Sequence, residues 1–131
     1  MIALDTNVLL RFLVDDNGEQ TARARDLLRR AQDQGVPCFV SDVVLCEVVW
    51  VLQRRFRVSR AELVAVLKQL VRASNLVFAA RDQVVAALMS FAAGPGGFTD
   101  YFIRAQAHAA GCEAVATFDR ALLRESGFIA P

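Results

Sequence analysis

The sequence predicts an α/β protein, a three-layer α/β/α sandwich around a central parallel sheet (Rossmann-like). Two observations predict it. Short apolar runs alternate with helix-length amphipathic segments. That order implies parallel strands joined by right-handed crossovers. Acids also stand at the carboxyl ends of the first and fourth runs, where open α/β sheets bind their ligands.

The first run, Ile2-Ala3-Leu4, reads as a short buried strand that surfaces at Asp5. A helix over 8–13 follows. Taken alone, Asp5 or Asn7 serves as its N-cap. Asp15-Asp16-Asn17-Gly18 is a polar turn. Residues 19–34 form a surface helix, with Ala22, Leu27, Leu28 and Ala31 set among arginines and acids. Gly35 and Pro37 stop it in the usual order. Cys38-Phe39-Val40 is the second strand.

Ser41 caps a helix reaching about residue 55. Glu47 lies four after Val43 and four before Val51, so helical geometry places it within an apolar stripe. An acid there is costly unless paired or bound to metal. The basic turn at 54–57 reads as a solvated helix end or an RNA-backbone contact. Ser59 opens a helix to about residue 73, and Leu76-Val77-Phe78 is the third strand. Residues 81–93 form an apolar helix. Gly94-Pro95-Gly96-Gly97 is a flexible loop and lacks the Gly-Lys-Ser/Thr ending of a phosphate-binding loop. Phe98-Thr99-Asp100 opens a helix that Gly111 ends, with Asp100 in the dipole-favoured first turn. Residues 114–117 form the fourth strand, and Asp119 leaves its carboxyl end. Asp119 also serves as an ordinary cap for 120–125. A last short strand covers 127–129.

At 131 residues the chain is long enough for one domain with a real core. It is 55% hydrophobic, yet no run approaches the ~18 apolar residues of a membrane span. The apolar surplus is expected in a subunit interface or a partner groove. Met1 leads straight into a strand, so no leader and a cytoplasmic location are expected. Cys38, Cys46 and Cys112 read as reduced residues without a CxxC pair. The single histidine, His108, argues against zinc. Net charge is +1, so no global field draws nucleic acid. Arginine supplies every positive side chain except Lys68, which suits phosphate recognition and equally fits a compositional bias.

Four acids stand out by position: Asp5, Glu47, Asp100 and Asp119. Leu4-Asp5-Thr6-Asn7, Glu47 in its helix, Phe98-Thr99-Asp100 and Thr117-Phe118-Asp119 together resemble the four motifs of the PIN-domain ribonucleases. The closest likeness is to VapC-type toxins of bacterial toxin–antitoxin pairs. It covers the whole chain, residues 1–131, as a single PIN-like domain. The chemistry explains such a gathering of acids. Phosphodiester hydrolysis needs an activated water and a neutralised transition state, and carboxylate-bound Mg²⁺ or Mn²⁺ supplies both. Gathered carboxylates repel one another without a cation.

The resemblance implies that Asp5, Glu47, Asp100 and Asp119 bind the metal, with Asp5 and Asp100 the first choices for direct ligands. It implies that Thr6, Asn7 and Thr117 support these acids or touch substrate. Arg104, one turn after Asp100, is expected to steady that carboxylate rather than contact RNA. Tyr101 and Phe102 stand where relatives often carry smaller residues and are expected to alter the groove wall. The implied partners are an RNA substrate, a cognate antitoxin and a second copy of the chain, with no membrane. The apolar segment 43–71 is compatible with both protein interfaces. The alternative is a non-catalytic PIN-like binding module whose acids grip a partner's arginines. A phosphatase of the haloacid dehalogenase type would want a second acid where Asn7 stands. A Rossmann-like nucleotide binder would want a glycine fingerprint after Leu4.

Overall fold

The computed structural model describes residues 1–16 and 18–131, so Asn17 of the expected polar turn lies outside the described residues. The chain divides into two compact units, Met1–Ala79 and Ala80–Pro131.

The first unit runs β1 (Ile2–Ala3), α1 (Thr6–Leu13), α2 (Glu19–Asp33), β2 (Cys38–Val40), α3 (Asp42–Arg54), α4 (Arg60–Arg72) and β3 (Leu76–Phe78). The three strands are parallel in the order β1-β2-β3, with Ile2 opposite Cys38 and Cys38 opposite Leu76. Central β2 is the most deeply set, with Cys38 and Val40 buried. The expectation of a buried first strand is corrected: Ile2 is 56% exposed and Ala3 is exposed, while Leu4 is buried. β1 pairs with β2 along one edge, so burial begins where the chain turns inward at Leu4.

Two serines set the helix starts in this unit. Ser41 Oγ accepts from Val44 N–H, and Ser59 Oγ accepts from Glu62 N–H. Ser59 Oγ also donates to Glu62 Oε1 at 2.8 Å. Each cap contributes about 1 kcal/mol. The buried stripe of α3 is Leu45, Val48, Val49 and Leu52, matched on α4 by Leu63, Leu67 and Leu70.

The second unit runs α5 (Arg81–Ala93), α6 (Phe98–Ala109), β4 (Val115–Ala116), a 3-10 turn (Leu122–Arg124) and β5 (Phe128–Ile129). β4 and β5 pair in parallel. Phe91 of α5 meets Phe98 of α6 edge-to-face at 6.3 Å. The linker at 94–97 is pinned rather than flexible. Gly96 N–H donates to the Tyr101 hydroxyl at 2.8 Å, and that hydroxyl donates to Glu125 Oε2 at 2.6 Å. A Cβ on Gly96 would lie 2.7 Å from Leu122 Cδ2, so the glycine permits close approach. Tyr101 and Phe102 are buried, so they build core rather than a groove wall.

Candidate active site

Asp5 stands between β1 and α1. Its Oδ1 accepts from Val8 N–H at 3.0 Å, and the residue is the N-cap of α1. This starts the helix at Thr6, two residues earlier than expected. An ionised carboxylate has about four acceptor positions. The cap therefore leaves capacity for a cation or a water. Asp5 and Asn7 are exposed and Thr6 is half-buried.

Glu47 is exposed, which corrects its placement inside an apolar stripe. Val43 and Val51 do flank it at helical spacing. Val43 is 75% exposed, however, and the buried stripe of α3 runs through Leu45, Val48 and Leu52 instead. The partner of this acid is a hydroxyl: Thr6 Oγ1 donates to Glu47 Oε2 at 2.8 Å, across 41 positions of sequence. The first and second motifs therefore meet within this unit.

In the second unit, Asp100 is half-buried in the first turn of α6. Its Oδ2 accepts from Gly97 N–H at 3.0 Å. Asp119 follows β4 and is exposed. Its Oδ1 accepts from Ala121 N–H at 2.8 Å and Leu122 N–H at 3.2 Å. Thr117 Oγ1 accepts from Asp119 N–H at 3.1 Å. Thr117 thus fixes the backbone that carries the fourth acid.

Arg104 does not steady Asp100. Its guanidinium donates to Ser126 O and to Ser90 Oγ, each at 2.9 Å. It also lies over the rings of Tyr101 at 5.0 Å and Phe128 at 5.3 Å. One turn of helical spacing allowed a contact with Asp100. The fork instead found two oxygens and two ring faces, which satisfy a planar cation better.

The sequence reading missed Glu125, whose bond to Tyr101 spans 24 positions and has no local signature. It also passed over the arginines facing Asp5 from α2, although their helical spacing was visible. His108 is exposed.

The PIN domain family model matches residues 2–127. The chain belongs to the PIN-domain family. Its fold class is therefore the three-layer α/β/α one expected from the strand and helix order. PIN domains are in general metal-dependent nucleases, so hydrolysis of nucleic-acid phosphodiesters is this PIN domain's general class of activity. No curated protein matches the chain.

Among the described residues, no three His, Cys, Asp or Glu side chains are grouped so as to hold a metal ion. The donor chemistry of each unit nevertheless suits a hard divalent cation. Each carries two carboxylates on motif positions; Thr6 Oγ1 donates to the Glu47 carboxylate in the first unit, and Thr117 Oγ1 holds the Asp119 backbone N–H in the second. No helix among the described residues is long and apolar enough to cross a membrane.

Proposed function

We propose that this PIN domain is an endoribonuclease, the toxin of a type II toxin–antitoxin pair. It hydrolyses RNA phosphodiester bonds with Mg²⁺ or Mn²⁺ bound by Asp5, Glu47, Asp100 and Asp119. The observation that carries the reading is the Thr6–Glu47 hydrogen bond, which fixes a second-motif carboxylate against the strand-end motif of Asp5. Family membership supplies the reaction class.

The cation, when bound, supplies an activated water and neutralises charge at the scissile phosphate. The protein's own residues do the positioning. Glu47 keeps one oxygen on Thr6 and presents the other. Asp5 and Asp119 are held by backbone N–H donors, which fix their direction at little entropic cost. Asn7 is exposed beside Asp5 and offers an amide to a phosphate or ribose oxygen.

The cognate antitoxin and a second copy of the chain are the proposed protein partners, in a cytoplasmic setting. Val43 and Trp50, 75% and 60% exposed on α3, support an interface within segment 43–71.

The test is cleavage of a total-RNA pool by antitoxin-free protein with Mg²⁺, with Mn²⁺ and with EDTA, beside Asp100→Asn. Metal-dependent cutting that disappears in the variant is expected. Cutting that survives both EDTA and the substitution would refute the metal-dependent mechanism. Metal binding without cutting would favour a binding module.

A further inference from the structure

The face of α2 that looks toward α1 carries Gln20, Arg23, Leu27 and Arg30, at successive spacings of three, four and three. Such positions share one helical face. Opposite them α1 presents Asn7, Val8 and Arg11, and Asp5 completes the lining. The groove is open to solvent and holds about 460 Å³. Its floor is partly apolar, through Val8, Ala24 and Leu27, and its walls carry three arginines against two aspartates.

The three arginines are not equivalent. Arg11 pairs with Asp16, and Arg30 Nε lies 3.0 Å from Asp26 Oδ2. Arg23 is exposed and, among the described residues, joins no ion pair. An uncompensated guanidinium above an apolar floor, in the same groove as a metal-binding candidate, matches a nucleic-acid backbone. Its fork suits phosphate oxygens, and the floor accepts sugar or base faces. Arg23 and Arg30 are seven residues apart, about 10 Å along the helix. That separation is too long for a single phosphate group and falls within two nucleotide steps of one strand.

We propose that this α1–α2 groove carries the RNA strand flanking the scissile phosphate, and that Arg23 is its principal phosphate-positioning residue. The inference rests on the nuclease reading and adds the path of the substrate. Its occupant is single-stranded RNA, recognised through the backbone.

The test pairs binding with cleavage on the full chain. A fluorescein-labelled, mixed-sequence single-stranded RNA is titrated in EDTA across a salt series, and RNA cleavage is followed with Mn²⁺. Arg23→Gln is expected to weaken binding several-fold and to shallow the log-affinity against log-salt slope by about 0.7, the loss of one single-strand phosphate contact. It is expected to raise KM and leave kcat unchanged. Arg23→Lys restores the slope. Arg72→Gln, at an exposed arginine of α4 outside the groove, changes neither quantity. If wild-type protein cuts RNA while Arg23→Gln keeps the wild-type slope and KM, the groove is not the RNA path and the nuclease reading stands. If wild-type protein neither binds nor cuts RNA with metal present, the nuclease reading falls and this inference falls with it.

Discussion

Thr6 Oγ1 donates to Glu47 Oε2 at 2.8 Å, which ties the start of α1 to the middle of α3. The bond restrains an exposed acid that nothing else in its own helix would orient. Its value lies in geometry more than in stability.

Removing that hydroxyl separates the two effects. Thr6→Val is expected to raise the Mn²⁺ concentration for half-maximal cleavage about tenfold, as loss of a ligand-orienting partner does. Unfolding free energy should change by less than about 0.5 kcal/mol, because the bond is exposed. Thr6→Ser should retain the wild-type metal dependence. Metal titration of cleavage, beside urea denaturation, checks both, and equal metal dependence in all three proteins would refute the role.

Asp5 has two roles that one pair of variants distinguishes. Asn caps a helix about as well as Asp, whereas Ala does not. Asp5→Asn should keep wild-type stability and lose cleavage. Asp5→Ala should lose cleavage and also about 1 kcal/mol of stability. Thermal melts and cleavage assays on both proteins suffice. Wild-type turnover by Asp5→Asn would remove Asp5 from the site.

Asp16 gives the fold a pH dependence. The Thr21 hydroxyl, then Gly18 N–H, with Arg11 adding charge attraction, hold its carboxyl below the ordinary 3.8. A lowered value favours the ionised native form. Its contribution is therefore complete above 3.8 and is lost as the pH falls through the lower native value. Asp16→Asn should be less stable than wild type at neutral pH, and the gap should narrow as the pH falls below 3.8 and through the lowered native value. Denaturation midpoints across that range decide it. A gap that stays constant would mean the carboxylate charge is not what stabilises this corner.

Gly127 adopts φ +86°, and a Cβ there would lie 2.7 Å from Arg104 Cδ. Gly127→Ala should cost about 1–3 kcal/mol from backbone strain alone. It should also push Arg104 off Ser126 O and Ser90 Oγ. Calorimetry of Gly127→Ala beside Arg104→Ala would show two separate losses. A Gly127→Ala melt matching wild type would refute the account.

The sequence by itself determined the secondary structure closely, because local chemistry sets it. Helix α5 spans 81–93 as read, and Ser41 and Ser59 cap where a hydroxyl before a helical pattern belongs. Strands β2 and β3 fall on their apolar runs. The four acids stood out by position, since a carboxylate at a strand end or a helix start is a positional signal. Family membership across residues 2–127 agrees with the fold class read from the order of strands and helices.

Tertiary structure decided which face each side chain uses. Periodicity placed Glu47 among valines, but a helix with apolar residues on two sides buries only the side that meets neighbouring elements. Leu45 and Val48 took that side, and Glu47 was left outside to meet Thr6. Arg104 had Asp100 within helical reach and bonded Ser126 and Ser90 instead, residues supplied by other segments. Tyr101 joined the core because Gly96 and Glu125 satisfied its hydroxyl there. Spacing along one chain segment gives the options a side chain has. Only the packing of distant segments, which bring their own donors, acceptors and apolar surface, selects among them.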